Sequence, residues 1–319
     1  MKVLFVTNMY PSPTGPYDGI FVQEQIQALQ KMFDIEAEIL VIEGGKSPLN
    51  YIWSIFKFQR LKRRRKFDII HFHFGLSGIC YLFDFANKSP TVLTLHGSDV
   101  NPTVKYGLML KISKLVIRKV DTVIAVNESM LNAINEFRTK AIIVPCGVNL
   151  NIFSLERNNR TGGFVIGFPG DRSRPGKNYS LFSKIIQEIR AIGIECETVE
   201  FYDLTRKEVA LALSRLDCLL MTSLSEGSPQ IVKEAMAEGV PIITSNVGDV
   251  NRLLTGVRNC QIIATYNVAD YVKALRRLIE LPASERVTDG KMRLCQLQLD
   301  QESVSSKIFK LYSQLASSC

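Results

Sequence analysis

Short apolar runs rich in Val and Ile alternate along the chain with longer segments whose apolar residues recur every three or four positions. In the first half the runs are 3–7, 38–42, 69–73, 91–96, 122–126 and 141–144, the form of strands buried on both faces of a parallel sheet. Behind the first run, Val22, Ile26, Leu29 and Phe33 fall at spacings of four, three and four, which lays one apolar stripe on a helix. The stretch 149–163 is polar, with little to bury, and reads as a linker. A second series follows, with strands at 164–168, 198–201, 218–221 and 241–244 and helices near 179–191, 207–216 and 230–238. A helical tail, with Ser303 as its candidate cap, sets Val304, Ile308, Leu311 and Leu315 on one face. The pattern predicts an α/β chain of two tandem Rossmann-like, doubly wound parallel sheets, in domains 1–160 and 161–319. Its last helix, about 303–319, is free to pack back on the N-terminal domain. Ligands are expected at the carboxyl ends of the strands, in a cleft between the two sheets.

Length and composition sharpen this picture chiefly by exclusion. At 319 residues, 46% hydrophobic and 22% charged, with a mean hydropathy of +0.08, the chain is globular and long enough for two domains. No run approaches the ~18 apolar residues of a membrane span, and the run behind Lys2 is too short for a signal peptide, so a cytoplasmic location is expected. Seven scattered cysteines without a Cys-x-x-Cys pair fit reduced thiols. Six of the eight excess positive charges lie in the first half, and seven basic residues fall between positions 57 and 66.

Four segments carry candidate chemistry. The most informative is 225–241, which leaves a strand, turns through Gly227 and Pro229 and enters a helix. Such a turn points unpaired backbone N–H groups at a ligand. Glu226 and Glu234 offer two carboxylates suited to sugar or ribose hydroxyls, although the spacing alone fits a plain strand–helix connection with solvated glutamates equally well. The second segment, 170–178, also follows a strand. Its Arg172 and Lys177 suit a diphosphate, and its bland alternative is a solvated basic loop. Neither a P-loop nor a Gly-x-Gly-x-x-Gly fingerprint is present. The third is the histidine set, His71 and His73 at the end of one strand and His96 at the end of the next. With Asp99 they have the chemistry of a metal site, but structural histidines are the commoner outcome. The fourth is the Pro- and Gly-rich loop 8–19, where Gly19 would let backbone approach a phosphate at a helix N-terminus.

Taken together, SLSEGSPQIVKEAMAEGVPI (223–242), TLHGSDV (94–100), VPCGVNLNIF (144–153), VGDV (247–250) and the Arg172/Lys177 loop resemble the retaining GT-B glycosyltransferases of the glycogen-synthase-like superfamily. The likeness is greatest to bacterial surface-polysaccharide enzymes of the teichuronic-acid type, and it covers essentially the whole chain. It implies retaining, metal-independent transfer of a hexosyl unit from a nucleoside-diphosphate sugar, with UDP expected on family frequency, to a lipid-linked or growing saccharide. No cofactor is implied, in keeping with the lack of an Asp-x-Asp triplet. By the same resemblance Arg172 and Lys177 clamp the diphosphate, and Gly19 approaches it. Glu234 binds the ribose. Glu226, Gly227 and Ser228, with the backbone through Ile231 and Val232, hold the donor sugar and phosphate. His96 contacts the sugar near the reacting centre, and Asp99 faces the acceptor. Departures are Asn149 where the family has Asp, the missing Val-Val-Gly-x-Gly loop, and a short segment from Lys177 to Asp217. These leave a C-terminal sheet expected to be one strand and helix smaller than in relatives. They also keep two other readings open, a non-catalytic nucleotide-sugar-binding subunit of a membrane-associated assembly complex and a sugar-releasing hydrolase or epimerase.

The segment 51–66, YIWSIFKFQRLKRRRK, joins the only tryptophan, Trp53, to the cations Arg63, Arg64 and Arg65. It reads either as an interfacial helix on anionic lipid or as an ordinary helix whose cations complement its C-terminus. The basic residues surround the last two turns, and a lipid-linked acceptor favours peripheral binding at the inner face of the cell membrane. No nucleic-acid-binding motif accompanies the charge.

Overall fold

The computed structural model of the chain describes residues 1–13, 15–85, 88–97, 99–100, 107–153 and 163–317. It divides into two compact units, Met1–Gly147 with Gln301–Cys319, and Val148–Asp300.

The N-terminal unit runs β1 (Lys2–Thr7), α1 (Ile20–Met32), β2 (Glu36–Val41), α2 (Leu49–Arg64), β3 (Ile69–His73), α3 (Ile79–Leu82) and β4 (Thr91–Leu95). It continues with α4 (Gly107–Lys119), β5 (Thr122–Ala125), α5 (Glu128–Ala133) and β6 (Ala141–Ile143). All six strands are parallel in the order β2-β1-β3-β4-β5-β6. Alternate residues serve opposite layers, as the pleat requires. Leu4, Val6, Ile70, Phe72 and Leu93 pack under α2 to α5, through Phe58, Tyr81, Val116 and Leu131. Val3, Phe5, Ile69 and Val92 pack on the other side against Val22, Ile26 and Leu29 of α1.

The C-terminal unit runs β7 (Phe164–Phe168), α6 (Tyr179–Ala191), β8 (Cys196–Glu200), α7 (Arg206–Ser214), β9 (Cys218–Met221), α8 (Gln230–Ala237) and β10 (Ile242–Ser245). It ends with α9 (Val250–Leu254), β11 (Gln261–Ile263), α10 (Val268–Ile279) and α11 (Gly290–Gln296). Its five parallel strands lie in the order β11-β10-β9-β7-β8. One core joins the sheet to α7, α8, α9 and α11, the other to α6 and α10. The last helix, α12 (Gln301–Ser317), belongs to the N-terminal unit, where Val304, Ile308 and Tyr312 fill the α1 side of the core and Phe309 stacks on Phe33 at 4.0 Å.

The boundary between units falls at Gly147/Val148, ahead of the 160/161 division that the polar stretch suggests. Val148 and Phe153 are fully buried in the C-terminal core, so the chain has entered the second unit before its polar residues begin, and 154–162 lie outside the described residues. The helix α12 starts at Gln301, which puts Ser303 inside it and not at its cap. Between Lys177 and Asp217 the short segment still completes α6, β8 and α7. Among the described residues no helix is long and apolar enough to cross a membrane.

Candidate functional site

In the C-terminal unit β7 lies between β8 and β9, so the loops leaving all three strands share one edge of the sheet. The loop after β7 spans both neighbours. Its Lys177 turns toward β9, and the ammonium meets Glu226 Oε1 at 2.7 Å with both side chains under one-fifth exposed (19% and 17%). Ser223 Oγ donates to the same carboxylate oxygen at 2.8 Å. Leu224 N–H donates to the Gly176 carbonyl at 2.8 Å, and Thr222 Oγ1 donates to the carbonyls of Lys177 and Asn178, both at 3.1 Å. The two loops the sequence singled out are thus stitched together.

Arg172, on the same loop, turns the other way, toward β8. Its Nε donates to Glu200 Oε2 at 2.7 Å, Nη2 bonds the same oxygen, and the guanidinium lies 5.1 Å over the Tyr179 ring. This pairing holds the Glu200 carboxyl below its ordinary range. The structure therefore brings Lys177 and Glu226 together but gives Arg172 a separate partner, because a single loop flanked by two strands can serve both.

Glu234 lies on α8, nearly buried, and receives Arg206 Nη2 at 2.6 Å, the side chains being 3% and 18% exposed. Arg206 opens α7 behind a capping box formed by Thr205 and Glu208, and its guanidinium lies 4.8 Å over Phe153. Sequence reasoning missed Arg206, although Thr205-x-x-Glu208 marks the helix start that places it. The paired glutamates thus have separate cationic partners. The N-cap of α8 is Pro229, which supplies no side-chain cap of its own. Ser228 Oγ donates to Asp249 Oδ2 at 2.9 Å, and burial pushes the Asp249 carboxyl up against the opposing pull of Lys233 and Ser228. Gly248 has φ +59°, and a Cβ there would sit 2.3 Å from the Gly227 carbonyl oxygen, so the 226–228 turn rests directly on the VGDV segment. Val232 is fully buried and Ile231, partly buried, packs against the same core, and the Val232 N–H already donates to the Pro229 carbonyl at 3.2 Å.

In the N-terminal unit the histidines gather at the carboxyl ends of β3 and β4. His73 Nδ1 meets His96 Nε2 at 3.2 Å, and His96 is packed between the Phe21 and Phe74 rings at 4.9 and 4.5 Å. His71 bonds Tyr312 Oη through Nδ1 and Thr94 Oγ1 through Nε2 at 2.7 Å, and it stacks on His73 at 4.3 Å. Burial holds both inner histidines neutral, His73 with its pKa lowered to about 3 and His71 well below its ordinary value, with the neighbouring imidazoles adding to the effect on His71. Both ring nitrogens of His71 are therefore committed to hydrogen bonds. Among the described residues no group of three or more His, Cys, Asp or Glu could hold a metal ion.

Asp99 is almost fully buried and accepts from the backbone N–H groups of Gly97 at 2.9 Å, His96 at 3.1 Å and Gly75 at 3.2 Å. It ties the turn after β4 to β3, and burial raises its pKa. Its place is inside this turn, not on a surface open to an acceptor. Gly19 also has a structural task. At φ +65° it is the N-cap of α1, and a Cβ would meet the Met9 carbonyl oxygen at 2.3 Å.

On α2, Lys62 turns inward to the buried Asp84, while Arg65, just past the helix, pairs with Glu38 at 2.6 Å. Trp53, Arg63 and Arg64 face outward.

Residues 20–152 match the family described as Glycosyltransferase Family 4, and residues 164–281 match Glycosyl transferases group 1. The putative teichuronic acid biosynthesis glycosyltransferase TuaC of Bacillus subtilis (strain 168) is 25% identical, over 79% of this chain and 83% of its own. Sucrose-phosphate synthase from Thermosynechococcus elongatus superposes with a TM-score of 0.79 at 16% identity, over 100% of this chain and 99% of its own. HepE of Anabaena, solved in complex with UDP and glucose, superposes with a TM-score of 0.73 at 14% identity, over 98% of this chain and 100% of its own. The two matched domains divide where the two sheets divide, and the superpositions carry the same tandem fold along nearly all of the chain: it belongs to the GT-B glycosyltransferases, a Family 4 domain followed by a group 1 domain.

Proposed function

We propose that this glycosyltransferase moves a hexosyl unit from a UDP-sugar to a lipid-linked or growing saccharide in bacterial surface-polysaccharide synthesis, with retention at the anomeric carbon and without a metal. The observation that carries the reading is the Lys177–Glu226 pair at the carboxyl edge of the C-terminal sheet, on the loop that leads into the start of α8. A cation held beside a helix N-terminus suits a diphosphate. As the bond from the anomeric carbon to the diphosphate oxygen breaks, negative charge grows where Lys177 can stabilise it. The bond to the acceptor hydroxyl oxygen then forms on the same face of the sugar, and the hydroxyl proton passes to the departing diphosphate oxygen.

Glu226, oriented by Lys177 and Ser223, would accept hydrogen bonds from sugar hydroxyls, and Glu234 from the ribose. Arg172 would reach the diphosphate only by leaving Glu200. His96, steered by His73, would serve the donor sugar. UDP as the nucleotide is supported by the UDP complex of HepE, and the acceptor class by the likeness to TuaC. With such an acceptor the enzyme would work at the inner face of the cell membrane, touching anionic lipid through Trp53 and the cations near it.

The test is release of nucleoside diphosphate from UDP-, GDP- and ADP-hexoses, with and without a lipid-linked acceptor and with and without EDTA. Acceptor-dependent, EDTA-insensitive release from a UDP-hexose, with a product of unchanged anomeric configuration by NMR, is expected. No release from any donor would favour the nucleotide-sugar-binding role, and release that ignores the acceptor would mean hydrolysis.

A further inference from the structure

The outer face of α2 and a loop the sequence did not mark form a composite surface. At 100° per residue, Leu49, Ile52, Trp53, Phe56, Arg60 and Arg63 fall within one arc of about 100°. The four apolar members are each more than half exposed, and α2 buries its opposite face through Ser54 and Phe58. The cations of this region divide by partner. Lys62 is spent on Asp84 and Arg65 on Glu38, whereas Arg60, Arg63 and Arg64 make no ion pair among the described residues. The unpaired charge therefore extends the apolar stripe along the same side of the helix.

Asp84 belongs to the loop that follows α3, so its pair with Lys62 sets that loop beside the last turns of α2. Lys119 fixes the loop from behind by donating to the carbonyls of Tyr81 at 2.7 Å, Leu82 at 3.1 Å and Asp84 at 2.6 Å. Held in this way, the loop presents Phe83 and Phe85 to solvent, the latter 91% exposed. Two exposed aromatic rings on a firmly tethered loop, next to an Arg-bearing helix with its own Trp and Phe, have the composition of an interfacial anchor: apolar side chains for the acyl boundary and guanidinium groups for the headgroups.

We propose that the outer face of α2 and the Phe83/Phe85 loop together dock on an anionic lipid bilayer, the aromatic residues entering the interface while Arg60, Arg63 and Arg64 bind headgroup phosphates. This rests on the membrane reading above and gives it a footprint from which Arg65 is absent. The test is co-sedimentation with vesicles of phosphatidylcholine alone and of phosphatidylcholine mixed with phosphatidylglycerol, each variant first matched to the wild type by circular-dichroism melting. The wild type is expected to bind the anionic vesicles preferentially. Arg60→Ser/Arg63→Ser/Arg64→Ser should bind them on the order of 100-fold more weakly, about a factor of five for each cation. Phe83→Ser/Phe85→Ser should bind about 10-fold more weakly, the order expected for withdrawing two rings from an apolar boundary. Arg65→Ser should stay close to the wild type. Wild-type binding by the Phe83/Phe85 variant would overturn the composite footprint and leave the membrane reading standing. Failure of the wild type to bind either vesicle would overturn both. Quenching of Trp53 fluorescence by lipids brominated on the acyl chain, expected in the anionic mixture, tests the same contact without any substitution.

Discussion

Lowering the pH from 7 to 5 should destabilise the N-terminal unit by about 2 kcal/mol through His73 alone, with His71 adding a loss of the same sign. Both side chains are fully buried, His71 with its pKa well below its ordinary value and His73 with a pKa near 3, so His73 stays neutral in the folded protein at pH 5. In the unfolded chain they titrate near ~6.5. Between that value and about 3 the unfolded state carries a proton that folded His73 refuses, so stability falls as the pH falls through this window. For His73, pH 5 is about 1.5 units below its unfolded pKa, which costs about 2 kcal/mol at 1.36 kcal/mol per unit. Such a loss is a sizeable part of the ~5 to 15 kcal/mol that a domain commands. Asp99 works in the opposite direction, since burial raises its pKa and the folded state takes up its proton first. The assay is urea unfolding followed by the fluorescence of Trp53, the only tryptophan, for the wild type and His73→Gln at pH 5, 6 and 7. His73→Gln is expected to be less stable throughout but to lose about 2 kcal/mol less between pH 7 and 5, Asp99 being common to both proteins. Equal slopes for the two proteins would refute the assignment.

Lys177→Ala should lower kcat more than 10-fold, as read by steady-state kinetics. Arg206→Ala leaves the Glu234 carboxylate buried without its partner and should cost about 3 kcal/mol in the urea unfolding of the C-terminal unit, with Glu234→Gln restoring part of the loss in a double-mutant cycle. Glu234→Ala should weaken UDP binding measured by calorimetry. Gly19→Ala forces a side chain into a left-handed turn against the Met9 carbonyl and should cost about 1 to 3 kcal/mol by thermal unfolding.

The strands were legible because a parallel sheet covered on both faces needs unbroken apolar runs, and β3, β7 and β9 coincide with the runs that announce them. Past Thr244 the pattern weakens. The strand β11 has only three residues, and α9, with five, is too short for a periodic signal. The unit boundary was misplaced because composition marks where polarity begins, whereas the fold divides where Val148 enters the second core. Within the site, the Lys177 and Glu226 loops could be expected to meet, since both follow strands of one sheet. The diversion of Arg172 to Glu200 could not, because it depends on strand order: β8 lies on one side of β7 and β9 on the other. Asp99 and Gly19 sit in segments that look like ligand loops, yet backbone geometry accounts for both residues.

The contact between Tyr312 and His71 joins residues 241 positions apart within one core. On the ribosome, β1 to β6 emerge long before α12, and the whole of Val148–Asp300 is made in between. The N-terminal sheet therefore waits with Phe5, Ile26 and His71 uncovered on the α12 side until this helix is made. Until then the nascent N-terminal half is the part of this chain that a chaperone would need to shield.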